Sequence, residues 1–184
     1  MSKKDKSQDN NQFYIESGID IEKRRIDISE DIDEFSIGWA LRGLQIMEDR
    51  SSKPIDIFIS SYGGSVYDGF GFYSKLKRTK CLVRTHAVGK IMSMAFLIYL
   101  VGDERYSEEY TTFLNHSISS MSWGKLHEMQ TEVKECERLE EVALGILADR
   151  TNKDKKWWKK QSKYEDKYYN KDKAVELGIT THEY

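Results

Sequence analysis

Apolar positions recur along this chain at two different periods, and the switches between them mark out the elements. Arg25-Ile26-Asp27-Ile28 alternates with a period of two, as a half-buried strand does. Phe35, Trp39, Leu41, Leu44 and Met47 then fall mostly three or four residues apart, which predicts a helix over Phe35 to Met47 despite Gly38 and Gly43. Lys53-Pro54 breaks that helix, and Ile55 to Ile59 predicts a strand closed by the turn Ser60-Ser61-Tyr62-Gly63-Gly64. Val66 to Lys77 carries Tyr67, Phe70, Tyr73 and Leu76 at helical spacing; Cys81 to Val88 reads as a strand, Gly89 to Met92 as a second turn, and Met92 to Val101 as a helix. Alternating strands and helices in this order predict an α/β domain with a largely parallel sheet.

Gly102 to Glu109 is charged and reads as a turn, and Thr111 to Asn115 as a short strand ending just before His116. From Lys125 to about Asp149 a single amphipathic pattern holds, through Leu126, Met129, Val133, Cys136, Leu139, Ala143, Ile146 and Leu147. Such a helix is about twice the usual mean of about 11–12 residues, so part of it is expected to project and to find a partner surface. No repeat or linker divides the chain. Residues 1–12 read as a polar, disordered tail and 13–184 as one domain.

Composition narrows the class. The net charge of −2 hides a basic stretch, Arg150 to Lys173, with Trp157-Trp158 inside it. Aromatics among lysines are one way to hold nucleic acid, but the rest of the chain is acidic and would oppose a polyanion, so the reading here is a solvated lysine face with packed tryptophans and no nucleic-acid partner. Cys81 and Cys136 sit in a strand-like and a helical run, which suits buried thiols in a reducing, cytoplasmic setting. The N-terminal residues do not resemble a signal peptide. Met92 to Val101, the longest apolar run, is about half a bilayer span, and no membrane segment is expected. No histidine or cysteine pair has metal-ligand spacing and no phosphate-binding glycine loop is present, so no metal or other cofactor is expected.

Candidate chemistry gathers at the two turns. Amide hydrolysis by serine needs an exposed hydroxyl, an imidazole to take its proton, a carboxylate to orient that imidazole, and N–H donors for the oxyanion. Ser93 lies where a strand and turn give way to a helix, twenty-nine residues after Gly64, which opens the preceding helix in the same way. His116 and Asp166 complete the set. Each has a plainer reading: Ser93 as a helix N-cap, His116 as a polar residue at a strand end, Asp166 as a solvated carboxylate. His86 falls inside an apolar strand, His127 among glutamates on the long helix, and His182 near the end of the chain, so none of them competes well for the role of base.

At these residues the chain resembles ClpP, the proteolytic subunit of the ATP-dependent Clp protease, over about Phe13 to Thr181. The matching segments are Ser61-Tyr62-Gly63-Gly64, Gly89-Lys90-Ile91-Met92-Ser93-Met94, Phe113-Leu114-Asn115-His116, and Asp166 ahead of Ala174-Val175-Glu176-Leu177-Gly178. The resemblance implies the crotonase-like ClpP fold of repeated β-β-α units with a protruding handle helix at about 125–149. It further implies a serine endopeptidase with Ser93 as nucleophile, His116 as base and Asp166 as its orienter, and with the N–H groups of Gly64 and Met94 as oxyanion hole. The polypeptide substrate would lie along Gly63, Ser65 and Val66. Assembly would be a heptameric ring, or a tetradecamer of two rings, enclosing a chamber.

Three departures accompany the matches. The family's Gln-Pro and glycine-rich strand after its histidine are replaced by Ser117-Ile118-Ser119-Ser120-Met121; its Asp-Arg pair before the catalytic Asp is replaced by Tyr164-Glu165; and the residues before Phe13 lack its apolar segment. The second departure bears on ring pairing and the third leaves docking of a Clp-type ATPase open. Such divergence would suit a phage-encoded copy. A limited-cleavage phage maturation protease acting without an ATPase, and a catalytically silent ring subunit, are the rival readings.

Overall fold

The computed structural model describes residues 12–162 and 165–184. The expected tail lies outside the described residues, except that Gln12 opens a helical segment over 12–17. Seven strands form one sheet, β1 (Ile19–Asp20), β2 (Arg25–Ile28), β3 (Ile55–Ser61), β4 (Val83–Met92), β5 (Glu104–Ser107), β6 (Thr112–Asn115) and β7 (Lys167–Tyr169). The order is β1-β2-β3-β4-β6-β7; β5 pairs with the first half of β4 and β6 with its second half. From β2 to β6 all pairings are parallel, and β1 and β7 close the two ends antiparallel. Parallel pairing requires crossovers, and helices supply most of them.

Those helices are α1 (Glu34–Arg50), α2 (Val66–Arg78), α3 (Met94–Tyr99), α4 (Leu126–Arg150), α5 (Lys155–Ser162) and α6 (Lys171–Glu176). α1 starts where Asp33 accepts from the N–H groups of Phe35 and Ser36 while the Ser36 hydroxyl accepts from the Asp33 N–H, a reciprocal cap. Its buried stripe is Ile37, Ala40, Gly43, Leu44 and Met47; of the positions whose spacing predicts the helix, only Leu44 and Met47 belong to it, while Phe35 and Trp39 are exposed. β3 alternates along its whole length, with Ile55, Ile57 and Ile59 fully buried in the core with α1, α2 and α3. On the opposite face His86 stacks between Phe58 and Tyr106, at 4.3 and 5.1 Å between ring centres, and its Nε2 lies 2.8 Å from an Asp56 oxygen.

Two expectations need correction. Gly89 to Met92 is strand rather than turn, so β4 runs up to Ser93. An irregularity hides this from the sequence: Ile59 pairs with Ala87 but Ser61 with Ile91, so β4 bulges there, Val88 and Gly89 are exposed in succession, and Gly89 takes φ +71°. The helix that follows is correspondingly short. Glu104–Ser107, expected as turn, is β5; its inward positions are held by Arg105 and Ser107, not by aliphatic residues, so no apolar alternation announces it. Burial, and then the charge of Arg150, lower the Arg105 pKa to about 10, and its guanidinium donates to the carbonyls of Gly102, Arg150, Gly178 and Ile179.

The long helix α4 behaves as its length suggests. Its buried residues, Leu139, Ala143, Leu144 and Leu147, all lie in the C-terminal half, while Leu126, Met129 and Val133 are exposed. In the lysine-rich stretch Trp158 is fully buried, donating to Thr151 Oγ1 at 2.8 Å and meeting Phe96 and Tyr169 edge-on. Lys155 and Lys159 both pair with Glu141 of α4. Trp158 is therefore core, not a platform for bases. Cys81 and Cys136 are unpaired thiols, and no helix among the described residues is long and apolar enough to cross a membrane.

Candidate active site

The C-terminal ends of β3, β4 and β6 lie side by side, and each delivers one part of a cleft, as the carboxyl edge of a parallel sheet commonly does. β3 ends in the glycine turn. Ser61 donates to the Glu30 carbonyl at 2.6 Å and accepts from the Gly63 N–H at 3.1 Å. Ile32 then clamps the turn, donating to the Gly63 carbonyl and accepting from the Ser65 N–H, both at 2.7 Å. Gly63 and Gly64 take φ of +101° and +145°. A side chain at Gly63 would collide with Ser93, its Cβ falling 2.7 Å from Ser93 Cβ and 2.9 Å from Met94 N. Only glycine lets this turn approach the end of β4 so closely. Ser65 caps α2, accepting from the Asp68 N–H at 3.3 Å, and Val66 lines the cleft.

β4 ends on Ser93, whose φ of 53° and ψ of −126° put a non-glycine residue in a strained conformation. Such strain costs on the order of 1–3 kcal/mol and persists only where the surroundings impose it. Here they do so through the Ser93 N–H, which donates to the Leu114 carbonyl at 3.0 Å, and through β4–β6 pairing up to Met92 and Leu114. An ordinary N-cap serine has extended backbone and accepts from an N–H of the first helical turn; Ser93 has neither feature. The N-cap reading fails, and the hydroxyl is left facing the cleft without a hydrogen-bond partner among the described residues. The N–H groups of Gly64 and Met94 likewise have no acceptor among them.

β6 delivers His116, one residue beyond its end. Its Nδ1 lies 2.6 Å from the Ser117 carbonyl oxygen. A carbonyl can only accept, so Nδ1 carries the proton and the lone pair of a neutral ring is on Nε2. The following segment is fastened from the other side: Ser117 Oγ donates to the Ser162 carbonyl, the Ile118 N–H to Glu140, and Ser120 Oγ to Glu132, each at 2.7 Å. These contacts take over the positioning that a further strand would give.

Asp166 immediately precedes β7. The antiparallel register pairs Phe113 with Tyr169, Leu114 with Tyr168 and Asn115 with Lys167, so the next rung would set His116 opposite Asp166. Directly opposed residues on such a ladder have Cβ atoms about 4.5–5.5 Å apart. The ladder stops one rung short, Asp166 is exposed, and no hydrogen bond joins its carboxylate to His116 among the described residues. The cleft itself, about 70 Å³, is lined by Gly64, Ser93, Met94, Asn115 and His116, with Leu97, Ala143 and Ile118 among its other walls, but not by Asp166. None of Asn115, Leu97, Ala143 and Ile118 has a site role in the sequence reading, where Leu97 and Ala143 are helix positions, Asn115 is the residue before His116 and Ile118 belongs to the departure that follows it.

Comparison with known proteins now bears on this geometry. The Clp protease family model matches residues 8–182. The chain belongs to the Clp protease family. Among related Clp sequences, ATP-dependent Clp protease proteolytic subunit 2 of Treponema denticola is 28% identical over 159 residues, covering 85% of this chain and 79% of that subunit. Proteolytic subunit 1 of Prochlorococcus marinus is 30% identical, covering 69% of this chain and 66% of that subunit, and the Bdellovibrio bacteriovorus subunit is 29% identical, covering 73% and 65%. The chain thus spans just under two thirds of the latter two Clp subunits. The single sheet, the short helix behind Ser93 and the projecting α4 agree with the Clp protease fold.

Proposed function

We propose that this member of the Clp protease family is a serine endopeptidase that hydrolyses unfolded polypeptides, with Ser93, His116 and Asp166 as its triad. The observation that carries the reading is Ser93: a strained strand-to-helix serine with an unpartnered hydroxyl, packed against a glycine turn that no other residue would permit. In the proposed reaction His116 Nε2 takes the Ser93 proton as Oγ attacks the substrate carbonyl. The N–H groups of Gly64 and Met94 receive the oxyanion, and each such donor is worth about 3 kcal/mol of barrier lowering. The imidazolium then protonates the leaving amine, and water releases the acyl group by the same steps in reverse. Asp166 would replace the Ser117 carbonyl at Nδ1 once the β6–β7 ladder closes its last rung, holding the tautomer and stabilising the imidazolium. The substrate backbone would add as a strand along Gly63, Ser65 and Val66, a mode that tolerates many sequences.

Oligomeric assembly belongs to the same proposal. The exposed apolar half of α4 and the groove between α2 and α4, lined by Tyr67, Phe70, Tyr73, Leu139 and Val142, suit contacts between copies; family membership supports a ring, which on this reading is heptameric. A silent ring subunit is the second reading, favoured by the Nδ1 contact to Ser117 and by the separation of Asp166 from His116. Incubating the assembled protein with unfolded casein, with and without a Clp-type ATPase, separates them. Casein is expected to be cut into short peptides; intact rings that hydrolyse neither casein nor small peptide esters would establish the silent subunit.

A further inference from the structure

Asn115 is the cleft residue with a buried polar atom that neither fold nor triad accounts for. It ends β6, is only 6% exposed, and lines the cleft beside Ser93. Its amide nitrogen is buried with no hydrogen-bond partner among the described residues. Buried polar groups are nearly always paired, because leaving one unpaired forfeits its hydration with no return. An orphan in a cleft wall is therefore a group waiting for what enters the cleft. Tyr169, which also has a buried unpartnered hydroxyl, is not an alternative ligand-facing group, since it packs edge-on against Trp158 and does not line the cleft.

The other walls define what fits. Val66, Met94, Leu97, Ile118 and Ala143 are apolar, Ser117 and Ser119 add neutral hydroxyls, and no carboxylate, lysine or arginine lines the cleft. The residue whose carbonyl is attacked by Ser93 carries its side chain two bonds away from that carbon, so the concavity touching Ser93 is the one that receives it. We infer that Asn115 makes this cleft selective for a P1 residue with an apolar stem and a neutral hydrogen-bonding tip, glutamine above all. Rotation about χ2 turns the Asn115 amide toward the P1 amide, and the two can pair reciprocally, N–H to carbonyl in each direction. Leucine at P1 would fill the same space and leave Asn115 unpaired. Glutamate would bring an uncompensated charge into an apolar pocket. This inference rests on the reading of Ser93 as the attacking residue, and one arm of its test does not.

Peptides differing only at P1, with Gln, Leu or Glu, are assayed on the wild-type protein and on Asn115→Leu. The wild type is expected to favour Gln over Leu by roughly tenfold in kcat/KM, the scale of one net hydrogen bond, with Glu poorer than Gln, and Asn115→Leu to favour Leu. A wild type that prefers Leu, or one ratio shared by both proteins, overturns the inference. Should Asn115→Leu not melt cooperatively, the wild-type ratio decides alone. Binding of the same peptides to Ser93→Ala, followed by fluorescence anisotropy, forms the second arm. Tighter binding of the Gln peptide without any turnover by the wild type would uphold the subsite while removing the peptidase reading; equal binding, or none, overturns the subsite.

Discussion

Ser93→Ala is expected to lower kcat for peptide hydrolysis by roughly 10⁶, the scale on which a triad collapses when its nucleophile is removed, while leaving the melting temperature close to that of the wild type. The two halves of this result have separate causes. Rate is lost because the substitution removes the attacking hydroxyl at the end of β4. Stability is kept because the Ser93 side chain makes no capping hydrogen bond, nor any other among the described residues, and because alanine, like serine, has a Cβ and bears the same positive-φ strain. Ser93→Gly supplies the control. It removes the hydroxyl and the strain together, and is expected to raise stability by about 1 kcal/mol. A protein that becomes more stable as it becomes inert holds its serine for chemistry. Activity surviving in Ser93→Ala would mean that hydrolysis occurs elsewhere.

Asp166→Asn is expected to lower kcat by roughly 10⁴, with little change in KM, because an amide can hold the imidazole in the wrong tautomer and cannot stabilise its cation. The substitution is nearly isosteric and exposed, so folding is not at stake. It is also decisive between two orienters. In the resting structure Nδ1 donates to the Ser117 carbonyl, 2.6 Å away. If that carbonyl does the orienting during turnover, Asp166→Asn should cost less than tenfold. A large loss would show that the last rung of the β6–β7 ladder closes in the working enzyme.

What was legible in the sequence followed from period and from special residues. β3 was readable because Ile55, Ile57 and Ile59 face one core, and α1 because Leu44 and Met47 face the same core, although Phe35 and Trp39, which also set its spacing, are exposed. β5 was not, since Arg105 and Ser107 fill the inward positions and Arg105 satisfies backbone carbonyls instead of apolar neighbours. Neither was the true end of β4, because the bulge at Gly89 breaks the alternation three residues before Met92. For the site, glycines at Gly63 and Gly64 and a serine behind a strand were visible as types, but not the collision that makes Gly63 obligatory, which is a contact between residues thirty positions apart. The opposition of His116 and Asp166 depends on antiparallel register, which a three-residue strand such as Lys167–Tyr169 does not announce. Asn115 escaped notice because an asparagine at a strand end is ordinarily a turn residue, and only its burial without a partner sets it apart.

The account stands on Ser93 being the residue that attacks. Reaction of the wild-type protein with a fluorophosphonate, followed by digestion and mass-spectrometric mapping of the adduct, tests this directly. The modification is predicted on the peptide containing Ser93 and on no other serine; an adduct on a different residue, or equal labelling of wild type and Ser93→Ala, would contradict it.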